Sequence, residues 1–115
     1  MTHRTPEGWA SDPNARGLRL ELSPDRTLLL PFDQFLHAEL VQKGDTQELS
    51  LSFATHEVAI RGHSLKRLVA ALQTQELALV TLLPKPLQDA VPDGQPRILA
   101  ITVRESAAQA DAGVC

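Results

Sequence analysis

Between residues 61 and 67 the chain carries Arg61, His63, Lys66 and Arg67, its one local cluster of basic side chains, with the hydroxyl of Ser64 among them. The apolar residues Leu65, Leu68, Val69 and Leu72 follow at i, i+3, i+4 and i+7, the spacing of a helix face buried on a sheet, so the basic residues fall at a helix N-terminus. Backbone N–H groups there have no intrahelical acceptor and carry partial positive charge, and acidic residues are expected beside them rather than Lys66 and Arg67. A phosphate or a carboxylate would resolve that mismatch, accepting the free N–H groups with Lys66, Arg67 and Arg61 flanking it. The plainer alternative leaves both cations in water on the polar helix face, at a cost of about 0.3–1 kcal/mol each against the helix dipole. Gly62 stands alone, so this is not a phosphate-binding loop.

The remaining residues with site chemistry are His37, His56 and His63 with Asp33, Glu39 and Glu57. They show neither HExxH nor HxH spacing, and His56–Glu57 and His63 fall at an expected turn and strand end, so no metal site and no cofactor are expected. No G-x-S-x-G elbow surrounds a serine, and the sole thiol is the last residue, Cys115. One cysteine allows no disulfide within the chain, and no catalytic constellation is present, so the expected protein is not an enzyme.

The elements that hold these residues are short strands. Leu18, Leu20 and Leu22 alternate with polar residues, Ser23-Pro24-Asp25-Arg26 is turn chemistry, and Thr27–Pro31 completes a hairpin. Phe32–Leu36 reads as a helical turn or bend. Leu36, Ala38 and Leu40 then alternate as a third strand as far as Lys43-Gly44-Asp45, although Phe32, Phe35, Leu36, Glu39 and Leu40 also fit a helix, and strand and helix both stay open over Phe32–Val41. Leu49, Leu51 and Phe53 share one face of the next strand, which pairs antiparallel with the strand of Val58 and Ile60 after the connection 54–57. Gly62 is expected to break that strand and Ser64 to cap the helix. Leu77–Leu83, apolar on both faces, reads as a central strand. Residues 84–96, with four prolines, read as a long surface loop, and Arg97–Arg104 as a last strand with Leu99, Ile101 and Val103 on one face.

This pattern predicts an α+β fold: a curved, mainly antiparallel sheet or half-barrel of six to seven short strands with one amphipathic helix, a two-layer α/β sandwich being the alternative. At 115 residues a single domain over 18–104 is expected, with a disordered or loosely docked arm at 1–17 and a disordered tail at 105–115. Trp9, isolated in the polar arm, either folds back on the body or awaits a partner.

Composition narrows the partners. The formal charge of -3 excludes broad neutralisation of nucleic-acid phosphates, although one local patch stays possible, and aromatic residues at 3% exclude a base-stacking platform. The longest apolar run, Leu28–Leu30, is far too short to span a bilayer, and Met1–Gly17 lacks the apolar segment of a secretory signal. The expectation is a cytoplasmic protein of bacterial type: a small binding or protein-interaction domain that forms homo-oligomers through a sheet edge or apolar face. Arg61, His63, Ser64, Lys66 and Arg67 would receive an acidic protein or a phosphate-bearing partner. Local anion or nucleic-acid binding by the same residues is the alternative function.

Overall fold

Leu18 and Leu20 are completely buried while Arg19 between them is exposed, and period-two burial of this kind recurs along the chain. The computed structural model describes residues 8–105 and contains eight strands: β1 (Trp9–Ser11), β2 (Gly17–Ser23), β3 (Arg26–Pro31), β4 (Phe35–Lys43), β5 (Thr46–Phe53), β6 (His56–His63), β7 (Leu77–Thr81) and β8 (Arg97–Glu105). Helix α1 (Lys66–Gln73) joins β6 to β7, helix α2 (Lys85–Asp89) lies between β7 and β8, and a 3-10 turn at Phe32–Gln34 links β3 to β4.

The strands form two open four-stranded sheets, ordered β1-β7-β2-β3 and β4-β5-β6-β8, so the mainly antiparallel α+β character stands but is split between two sheets. Among the described strands only β2 and β7 pair in parallel. The chain leaves the first sheet at Pro31, which has no N–H to continue a ladder. Beyond it the Phe32 ring meets Phe35 edge-on at 6.2 Å, and Phe35 lies 5.2 Å from Phe53, so three phenylalanines fill the junction. Inner faces of both sheets and the apolar face of α1 then share one core, running from Leu18, Leu20 and Val80 through Leu68 and Leu72 to Leu49 and Ile60. Eight residues are too few for a helix to persist alone, so docking through Leu65, Leu68 and Leu72, all buried, holds α1. Each such side chain contributes about 1.5–3 kcal/mol before entropy is counted.

Several expectations change. The arm supplies an eighth strand: β1 pairs antiparallel with β7, and Trp9, opposite Val80, folds back against the core. Residues 1–7 of the expected arm and residues 106–115 of the expected tail, with Cys115, lie outside the described residues, whereas Gly17 begins β2 and Glu105 ends β8. β7 is an inner strand, flanked by β1 and β2. Over Phe32–Val41 the strand wins after one 3-10 turn, because β4 pairs with β5 from Phe35 to Lys43. The 84–96 loop contains a second helix, α2, whose proline at the start of the helix needs no N–H partner, and Val91 and Pro96 beyond it are buried. In β8 a bulge intervenes: Arg61 faces Ala100 but Gly62 faces Ile98. Leu99 is therefore the extra residue, and Ile98, not Leu99, takes the buried position next to Ile101.

Candidate functional site

β6 does not break at Gly62. It continues to His63, and Gly62 is needed because a Cβ there would collide with the Arg97 backbone carbonyl of β8. The reversal comes one residue after the strand, at Ser64, whose φ of 58° lies in the left-handed region. Ser64 consequently does not cap α1. Instead Leu65 N–H donates to Gln47 Oε1 on β5 at 2.7 Å, a side chain distant in sequence closing the helix end. Gln47 is held in turn by its Nε2, which donates to Gln42 Oε1 at 3.3 Å, while Gln42 Nε2 donates to the carbonyls of Gly44 and Thr46 at 3.0 and 3.2 Å.

The Leu65 carbonyl accepts from Leu68 and Val69, which leaves the N–H groups of Lys66 and Arg67 without an acceptor among the described residues. Both residues line a concavity of about 440 Å³, together with Gln42, Asp45, Gln47, His63, Ser64 and Gly94. A smaller recess shares His63, Ser64 and Gly94 and extends to Asp93, Gln95 and Arg97. Arg67 Nη1 donates to Gln95 Oε1 at 3.2 Å, tying α1 to the segment before β8. Arg97 Nη2 donates to the Val91 carbonyl at 2.9 Å, and its Nε is buried without a partner among the described residues. Three cations, Lys66, Arg67 and Arg97, thus border the paired recesses, partly offset by the carboxylates of Asp45 and Asp93.

Of the sequence-derived candidates, His63, Ser64, Lys66 and Arg67 come together here. Arg61 does not: it is exposed on the outer face of β6, between Glu48 and Ala100 in the neighbouring strands. Gln42, Gln47 and Arg97 were not among the candidates. Gln47 had a signal, since it shares the phase of Leu49, Leu51 and Phe53, and a polar residue in step with a buried face must find a hydrogen bond.

The histidine and carboxylate set stays scattered. His37 and Glu39 are exposed on β4, His56 Nδ1 lies 2.8 Å from Thr55 Oγ1, and Glu57 accepts from Arg104 at 2.8 Å on the outer face of its sheet. Among the described residues no three His, Cys, Asp or Glu side chains group as metal ligands, and no helix is long and apolar enough to cross a membrane. The arrangement offers hydrogen-bond donors and cations to an anion. No protein-family model matches the chain, and no curated protein or solved structure is similar to it at a significant level.

Proposed function

We propose that this chain is a small non-enzymatic binding domain that self-associates and receives an acidic group of a partner protein in the concavity at the start of α1. The observation that carries the reading is that Lys66 and Arg67, whose N–H groups have no acceptor among the described residues, line one concavity with His63 and Ser64. A carboxylate placed there accepts charge-assisted hydrogen bonds and offsets the helix dipole. Self-association draws on β4, a nine-residue edge strand on which Leu36 and Val41 are exposed. A long exposed edge offers unpaired backbone groups to a further strand.

A second reading, a phosphate-bearing ligand, is favoured by Arg97, which borders the smaller recess and adds a third cation to Lys66 and Arg67 for an oxyanion of higher charge. Amide-resolved NMR titration with inorganic phosphate and, separately, with a Glu-rich peptide tests both. Shifts confined to residues 63–67 and to Gly94, Gln95 and Arg97 support the site, and unmoved amides there in both titrations overturn it. The peptide acting alone favours the acidic-protein partner. Phosphate acting at low salt and fading at high salt favours the phosphate-bearing one.

Two substitutions sharpen the test. Replacing Lys66 and Arg67 together with alanine should weaken binding of the active titrant about tenfold or more, the equivalent of about 1.4 kcal/mol, while the melting temperature holds because both side chains are exposed. Gln47→Glu places a resident carboxylate beside Leu65 N–H. It should compete with the added anion and lower its affinity by a similar factor, about tenfold, in a chain that remains folded.

A further inference from the structure

β4 closes one side of its sheet, and among the described residues no strand pairs with its outer edge. Its outward face presents Glu39, Val41 and Lys43, all exposed, in the order acid, apolar, base. A second copy of this chain running antiparallel about a two-fold axis brings that series against its own reverse. With Val41 opposite the partner's Val41, each Glu39 meets the partner's Lys43, and on the inner side Leu40 meets the partner's Gln42. We propose that β4 pairs with β4 of a second copy in this register, joining two four-stranded sheets into one of eight. The proposal rests on the self-association reading above and gives it a strand and a register.

The alternatives are few, because strand pleating allows only registers that place residues of like parity opposite one another. Centring on Glu39 sets two carboxylates face to face, which is destabilising. Centring on Leu40 sets His37 against the partner's Lys43 and leaves Glu39 opposite the partner's Val41. Centring on Ala38 runs the pairing through Leu36, where β4 already departs from regular pairing with β5. The Val41 register uses only the regular part of the strand and matches opposite charges on both sides of the axis. Lys43 already bridges Glu48 at 2.7 Å, so it would sit between that carboxylate and the partner's Glu39. Main-chain hydrogen bonds supply affinity in such strand addition, and the side-chain series supplies register.

The axis falls beside the concavity, since Gln42 and Asp45 line it. The dimer therefore brings two anion-binding recesses together near one edge, an arrangement that suits a partner presenting two acidic groups.

The test uses the full chain with Cys115→Ser as background and Val41→Cys, Ala38→Cys or Leu40→Cys added singly, followed by mild oxidation. Efficient disulfide dimerisation of the Val41→Cys chain, with little from the other two, is the expected result. Light scattering supplies the second measurement: Glu39→Lys should raise the dimer dissociation constant at least tenfold, and adding Lys43→Glu should restore most of it. Circular dichroism confirms that each variant is folded. A monomeric parent chain overturns both this proposal and the self-association reading. A stable dimer that ignores Glu39→Lys, or that cross-links through Ala38→Cys or Leu40→Cys instead, leaves self-association standing and overturns the strand and register assigned here.

Discussion

Gly62→Ala should destabilise the fold by about 3 kcal/mol, a large loss for one methyl group. The added Cβ would collide with the carbonyl oxygen of Arg97 and lie 3.3 Å from Ile98 Cα. Both neighbours are backbone, so no side-chain rotation relieves the clash, and β6 and β8 must separate where the bulge holds them together. Urea unfolding would register the loss as a lower midpoint at unchanged slope. Because Arg97 borders the recess beside α1, amide shifts at Asp93, Gly94, Gln95 and Arg97 should accompany it. Gly44→Ala is the informative control. Nothing lies within 4 Å of a Cβ there, so only its φ of +60° opposes the change, at a cost of about 1 kcal/mol. Equal effects at the two glycines, or a cost at Gly62 under about 0.5 kcal/mol, would refute the close approach of β6 to β8.

Phe53→Ala carries the other large effect, about 3–5 kcal/mol. Phe53 is 1% exposed and ends an inner strand of its sheet, with its ring 5.2 Å from that of Phe35. Truncation removes apolar area and leaves a cavity where the 3-10 turn passes from one sheet to the other. Small domains have about 5–15 kcal/mol in total, so the variant should be close to unfolding at ordinary temperature. Phe53→Leu, which keeps much of the volume, should cost clearly less, and the two midpoints in urea together test whether the cavity sets the loss. If alanine cost under about 1 kcal/mol, the junction would not depend on this ring.

How far the sequence disclosed this architecture depended on the range of the interactions involved. Alternation at Leu18–Leu22, Leu49–Phe53 and Val58–Ile60, and the helix spacing of Leu65, Leu68, Val69 and Leu72, are local patterns, and the corresponding elements form as read. Division into two sheets is not local, since it depends on which strand edges meet after the chain turns at Pro31. β1 has three residues with a single large apolar side chain, too short for a period to show. α2 hides among prolines because its first turn tolerates them. The misplaced face of β8 came from one extra residue, Leu99, a shift that only the contact with Gly62 determines. At the candidate site the basic residues were visible from type and spacing alone. Gln47 and Arg97 arrive from other strands, and Arg61 was drawn in by nearness in sequence although strand alternation carries it onto the sheet's outer face.

The parallel pairing of β2 with β7 sets an order of events during folding. Four strands and α1 separate the two in sequence, whereas β2–β3, β4–β5 and β5–β6 are neighbours that can close as hairpins at once. Pairing across a long stretch of chain must meet its loop-closure entropy before any contact repays it, so it comes late and slowly. During synthesis the β2–β3 hairpin must therefore wait, with Leu18, Leu20 and Leu30 uncovered, until the ribosome has released Thr81. Only then can β7 insert between β1 and β2, and in that interval a nascent chain is most exposed to aggregation or to capture by a chaperone.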